Sequence, residues 1–433
     1  MPHWPLSDPG VDVRSSWPRQ PIALMTGFGT FESTPLKLYS VSRRSLFVSL
    51  SSMVFLVNFA RVVFAPLVEP LKAAFTVGDA TVGLIATLAW LGSALPRIPT
   101  GYLLTRVPRH HVVLATGGVL TVAAGFTAVA NSVAVLGLGA FLMGLASGAY
   151  FIAANPLVSE LYPERVGKAI GIHGTASQTA AVAAPLFVGV VLARTGVDGW
   201  RLVMGAIGIT AAVATAVLFV VARRTDLPEA GTADRALLAA LRRQWPIILS
   251  GVAIIGATGF VWNGLFNFYP TYLETKGLAP GTARTMLTVV FATGVPAFWV
   301  TGRLADRVPH VPLMLAILGG FVACLFAIVA VDGFVAILAV TAVLGYVIHS
   351  LFPALDTYML DSLPDENRAS AYALYSGTMM IVQASGSSVV GALSGTYAFD
   401  AIFQTFGVGL IAILGVLLAL HSLDRLPTEA ATG

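Results

Sequence analysis

Twelve stretches of this chain are apolar enough, and long enough at about 20 residues or more, to cross a bilayer as helices. They begin near residue 45 and end near residue 422, six before a charged stretch at 223–245 and six after it. In hydrocarbon every peptide N–H and C=O must find its partner within the protein, so runs of this length specify helices. A membrane β-barrel would instead show segments of about ten residues alternating in polarity. With 56% hydrophobic and 11% charged residues, the chain carries well under half the charge of a soluble domain.

The second constraint is an internal repeat. Thr100–Arg109 reads Thr-Gly-Tyr-Leu-Leu-Thr-Arg-Val-Pro-Arg, and Thr301–His310 reads Thr-Gly-Arg-Leu-Ala-Asp-Arg-Val-Pro-His. Gly101 and Gly302 stand 201 residues apart, each where an apolar run ends in a short basic loop. Self-similarity at this period implies one design written twice. The expected fold is therefore an all-α membrane protein of twelve transmembrane helices in two pseudo-symmetric six-helix bundles. Expected boundaries are a polar, disordered cytoplasmic tail at 1–43, bundles at 44–222 and 246–424, a cytoplasmic linker at 223–245 and a short cytoplasmic tail at 425–433.

The second copy of the loop resembles the Gly-x-Leu-x-Asp-Arg motif that joins helices two and three of each half in the major facilitator superfamily. The resemblance spans roughly residues 44–424 and extends to Trp200-Arg201 and to Tyr162-Pro163-Glu164-Arg165 with its later counterpart Leu363-Pro364-Asp365-Glu366. It implies a secondary carrier with a central site that opens alternately to either face, and a gating role for Gly101, Arg106, Gly302, Asp306 and Arg307. Asp306 would latch the cytoplasmic side through an arginine or a helix N-terminus. The first copy departs from the motif, with Thr105 in place of the acid.

Orientation follows from the basic residues. Of 25 Lys and Arg, only Lys72, Arg194, Arg201, Lys276 and Arg284 fall on the side away from the N-terminus. The excess on the other side places both termini in the cytoplasm of a multi-pass protein of the cell membrane.

Two arginines interrupt the apolar runs. A cation within a spanning helix costs at least about 2.5 kcal/mol on insertion scales, and usually faces a cavity or a partner. Arg61 has Asn58 three residues earlier on the same helix face. The pair reads either as an anion site or as an arginine held by carbonyls or an acid across the bundle. Arg97, four residues before Gly101, could instead snorkel to the surface. In segment seven Asn263, Asn267 and Tyr269 form a polar stripe suited to binding a solute or to gluing helices together. His173, Gln178, His349 and Gln383 complete the candidates, and His173, His349 or Glu69 could serve proton coupling. Trp90, Trp262 and Trp299 read as packing or interface anchors.

No phosphate-binding loop, zinc-protease motif or nucleophile elbow is present, so neither an ATP-driven pump nor an enzyme is expected, and no cofactor or metal. The expected partners are the lipid bilayer and a small solute, with no nucleic acid and a monomeric assembly. Arg61 and Arg97 favour an organic anion. Drug efflux is the principal alternative, and a membrane receptor or channel a remote one. A nitrate or nitrite porter ranks lower, because that branch uses an arginine in segment eight where this chain has Ala297-Phe298-Trp299.

Overall fold

The computed structural model describes residues 35–225, 227, 237–305, 307–362 and 368–423. Among them all regular structure is helical, and twelve membrane crossings follow one another in two sets of six. Eleven meet the length and hydropathy expected of a span. The twelfth, α14 (Arg368–Leu393), is long enough but rich in Ser and Gly, because it packs against protein rather than lipid.

Three crossings are interrupted. The first comprises α1 (Pro35–Val62) and α2 (Phe64–Phe75), broken just after Arg61. Pro66 has no N–H for the Val62 carbonyl, which frees the chain to bend there. The second comprises α3 (Asp79–Ala94) and α4 (Arg97–Leu103), broken beside Pro96 and Pro99. The seventh runs through α9 (Leu237–Gly251), a widened turn at Val252–Gly256 and α10 (Ala257–Thr275). Both unexpected starts lie in stretches read as tail or linker: α1 begins at Pro35 and α9 at Leu237. Residues 1–34 and, within the linker, 226 and 228–236 lie outside the described residues.

The remaining crossings are single helices: α5 (Arg109–Ala128), α6 (Val133–Leu161), α7 (Val166–Thr195) and α8 (Gly199–Ala222) in the first half, then α11 (Pro280–Ala305), α12 (His310–Ala330), α13 (Phe334–Ser362) and α15 (Phe399–Ser422) beside α14 in the second. The repeated Val-Pro reappears as matching geometry, since Pro108 and Pro309 open α5 and α12 with φ −55°, ψ 140° and φ −52°, ψ 131°. Arg109 ties its loop to the end of α6 through Glu160 at 2.9 Å.

The halves meet chiefly where α3 packs on α14 and α7 on α11. Small residues allow the approach: a methyl group at Gly83 would strike the Ser387 carbonyl, and one at Gly391 the Asp79 carbonyl. The seam is closed at the end away from the chain termini. There Lys72 holds Asp79 at 2.6 Å and Glu69 at 3.0 Å, both within the first half. Each carboxylate then accepts a hydroxyl from the second half, Ser394 to Asp79 at 2.9 Å and Thr271 to Glu69 at 2.6 Å. Lys72 sits in the last turn of α2, beyond the apolar run Arg43–Val62 and before the next at Asp79–Leu103. Burial alone would lower its pKa, but hydrogen bonds and charges from Asp79 and Glu69 outweigh this and raise it above the ordinary 10.5. A raised lysine pKa means that Lys72 keeps its charge up to its ordinary 10.5 and loses it only at higher pH, so its hold on the two carboxylates should not vary between pH 6 and 9.

Lys72→Met would leave two carboxylates facing one another without their counter-ion. The seam should then open more often, raising maleimide labelling of a cysteine at Ser394→Cys (with Cys324→Ser) by about tenfold, the equivalent of about 1.4 kcal/mol. An unchanged labelling rate would show that the cluster does not hold the seam.

Candidate functional site

The site is built around Arg61, in the last turn of α1, where carbonyls left unpaired by the helix break favour a cation. Asn58 is oriented first. Its Nδ2 donates to the Ser177 carbonyl of α7 at 2.7 Å, which turns Oδ1 toward Arg61 to accept from Nη2 at 2.6 Å. The guanidinium carbon lies 4.5 Å from the ring centre of Trp90 and 5.7 Å from that of Phe151. Cation–π attraction at a desolvated site is worth about 2 kcal/mol, which with a charge-assisted hydrogen bond of similar size offsets the insertion cost. Among the described residues Arg61 forms no ion pair, and its Nε, like Nε1 of Trp90, is buried without an acceptor. Arg97 is near enough to repel it. Arg97 itself crosses the seam and donates to the Ser376 hydroxyl of α14.

From Trp90 an aromatic series runs into the second half. Phe266 meets it edge-on at 5.8 Å, Trp262 stacks on Phe266 at 5.4 Å, and Phe291 closes on Phe266 at 5.9 Å. His349 follows, 5.7 Å from Trp262 and 5.6 Å from Phe291, with Phe298 and Phe352 beyond it. Its Nδ1–H donates to the Gly345 carbonyl one turn back at 2.7 Å, so this histidine is seated among rings rather than beside a charge. The sequence marked Trp90 and Trp262 only as anchors. Their alignment with Phe266 depends on two segments far apart in the chain and had no local signature.

Other sequence candidates are divided between the bundles. Asn267 donates to Ser387 Oγ and to the Asn263 carbonyl, both at 2.9 Å, while Ser387 donates to Asn263 Oδ1 at 2.6 Å. The stripe therefore joins α10 to α14, leaving only Nδ2 of Asn263 without an acceptor. Tyr269 bonds to Thr341 of α13 at 2.6 Å inside the second bundle. In the first bundle Tyr150 gives its proton to the Leu50 carbonyl at 2.6 Å. It can therefore only accept from His173, so Nε2 of His173, 3.1 Å away, carries a proton. His173 and Ser177 are one turn apart on α7, which places this pair one turn from the Asn58 anchor. Gln178 is half-buried beside Ser177, and Gln383 is buried under Gly259.

The loop residues sit apart from the centre. Gly101 is buried near the end of α4, Gly302 is half-buried in the last turn of α11, and Arg106 and Arg307 are exposed. Asp306, assigned the latch, lies outside the described residues. No cluster of His, Cys, Asp or Glu able to hold a metal occurs among the described residues. A groove of about 560 Å³ between Trp245–Ala253 and Ala412–Leu420 lies on the apolar flank of the second bundle, away from these groups.

Comparison with known proteins places this geometry in context. Residues 50–349 match the family model described as Major Facilitator Superfamily. The purine ribonucleoside efflux pump NepI of Salmonella enteritidis PT4 (strain P125109) is 26% identical over 373 residues, covering 82% of this chain and 87% of that protein. The uncharacterized MFS-type transporter YwfA of Bacillus subtilis (strain 168) is 22% identical over 397 residues, 88% and 92% of the two chains. Among solved structures, a bacterial homolog of the human lysosomal transporter Spinster, inward-facing and unoccupied, superposes with TM-score 0.73 at 18% identity, covering 90% and 99%. The inward open xylose transporter XylE from E. coli superposes with TM-score 0.72 at 14% identity, covering 91% and 98%.

If the amide stripe is interhelical glue, Asn267→Ala should destabilise the protein by about 1–3 kcal/mol through unpaired groups on Asn263 and Ser387. Thermal unfolding of the purified protein should report that loss. The concentration of solute giving half-maximal flux should stay within twofold; a larger change would put the stripe in the solute site.

Proposed function

The chain belongs to the Major Facilitator Superfamily, and is a secondary transporter rather than an enzyme; we propose that it carries a small organic anion anchored by Arg61. The observation that supports this reading most is the arginine itself: a mid-membrane cation with no acid partner among the described residues and a buried Nε–H that has no acceptor. A carboxylate supplies two acceptors and the opposite charge, and so answers both deficits at once. Arg97 and the orphan indole N–H of Trp90 add positive potential and a third donor on the same side of the seam.

In this reading the bundles rock about the centre. With both termini in the cytoplasm of the cell membrane, the sealed end is the outer one and the conformation is inward-facing, like the two solved neighbours. The Lys72 cluster then holds the outer seam, and entry of the anion neutralises the Arg61–Arg97 repulsion that resists closure at the centre. His173, tied through Tyr150 next to the Asn58 anchor, is the group placed to couple a proton to this step.

A second reading rests on a relative. A protein 26% identical is named as a purine ribonucleoside efflux pump, and a nucleoside is likewise acceptor-rich and flat. Efflux of a nucleoside or another amphipathic compound would use the same aromatic series with Arg61 as a neutral solute's hydrogen-bond donor.

Flux into proteoliposomes separates the two. If an anion is carried, Arg61→Gln should reduce saturable uptake of the preferred organic acid at least tenfold, with partial activity in Arg61→Lys, which keeps the charge. Undiminished acid uptake in Arg61→Gln, or uptake of a purine nucleoside alone, would refute the anion reading.

A further inference from the structure

The surroundings of Arg61 also limit the shape of what it can bind. Its guanidinium carbon lies over one ring at 4.5 Å and near a second at 5.7 Å, Trp90 from α3 and Phe151 from α6. The Asn58 oxygen takes one of the two Nη2 protons, whereas the buried Nε–H has no acceptor, so the edge that Nε shares with Nη2 still lacks a ligand oxygen. A carboxylate paired side-on with a guanidinium lies in the guanidinium's own plane. Whatever is conjugated to that carboxylate shares the plane, and the rings that stand beside Arg61 are Trp90 and Phe151, with Phe266 edge-on to Trp90 at 5.8 Å. Beyond Phe266 stand Trp262 and Phe291, again rings rather than polar groups.

Taking the anion reading of Arg61 as its basis, we infer that this transporter selects anions whose acid group is conjugated to a flat, unsaturated body, and that Trp90 is the specificity-determining residue. A flat ring stacks on the indole face, where aromatic pairs gain beyond simple burial. A puckered ring of equal size and charge holds its atoms out of that plane and loses the stacking. The indole N–H contributes separately: buried without an acceptor, it is a donor for an oxygen at the edge of the same body. Trp90 also makes the one described aromatic contact between the halves, so a body lying against it touches both bundles at once. That position lets occupancy be sensed by the rocking motion.

Two acids of the same charge and ring size test this, benzoate and cyclohexanecarboxylate, with acetate as the headgroup alone. Binding to the purified full chain would be measured by calorimetry. The wild-type protein should prefer benzoate over cyclohexanecarboxylate by at least tenfold and bind acetate more weakly than either. Trp90→Phe, which keeps a ring but lacks the N–H, should retain most of that preference while binding benzoate about threefold more weakly. Trp90→Leu should reduce the preference to threefold or less, with its monodispersity checked by size-exclusion chromatography. Arg61→Gln should lose both ring acids. Equal binding of the two ring acids by the wild-type protein would overturn the shape selection and leave the anion reading standing. Binding of neither acid would overturn both.

Discussion

Hydrocarbon offers a peptide group no partner and a charge no solvation, and the architecture follows from those two deficits. The first makes every crossing helical. The second makes a buried arginine conspicuous, since it must find compensation within reach of one side chain. Arg61 finds it at a proline-induced break, with an amide oxygen in front and two rings beside it. The compensation is incomplete, because one N–H of the guanidinium stays without an acceptor. Arg109 also leaves its Nε without an acceptor but is paired with Glu160, whereas Arg61 has no acid partner among the described residues.

Duplication produced two bundles with the same loop geometry, yet their interiors have diverged. The first half keeps the polar equipment, Asn58, Arg61 and Arg97 near the centre and the Tyr150–His173 pair one turn away. The second half has spent its amides on joining α10 to α14 and presents rings instead, from Phe266 to His349. Under the proposed reading, a solute held at the centre would meet charge from one bundle and aromatic surface from the other. Such division would suit a rocking carrier, because neither half alone would complete the site.

The seam shows how little is needed to hold one orientation. Its closed end carries one lysine, two carboxylates and two hydroxyls, Thr87 of α3 bonds further along to Ser388 and the Ala384 carbonyl of α14, and the helices approach through glycine rather than through bulky interlocking side chains. Contacts worth one or two kcal/mol bias an equilibrium about tenfold, which is enough to set a resting state and still permit turnover. Larger side chains along α3 and α14 would bury more area, but would resist the sliding that exchange of access requires.

The twelve crossings and their order were legible in the sequence, because span length acts locally and needs no partner to be recognised. So was the pairing of Arg61 with Asn58, since residues three apart on a helix face one another whatever surrounds them. The breaks within the first and second crossings had a visible cause in Pro66, Pro96 and Pro99, though a proline alone does not say whether the helix bends or ends. What only the tertiary structure decided was which polar groups are occupied and which rings stand together. That Asn263 and Asn267 both bond to Ser387, some 120 residues away, is recorded nowhere in their own segment. Trp90 and Phe266 belong to different bundles, and no pattern within either segment records that they touch. Pairings of that kind depend on the packing of whole helices against each other, information that one-dimensional periodicity does not carry.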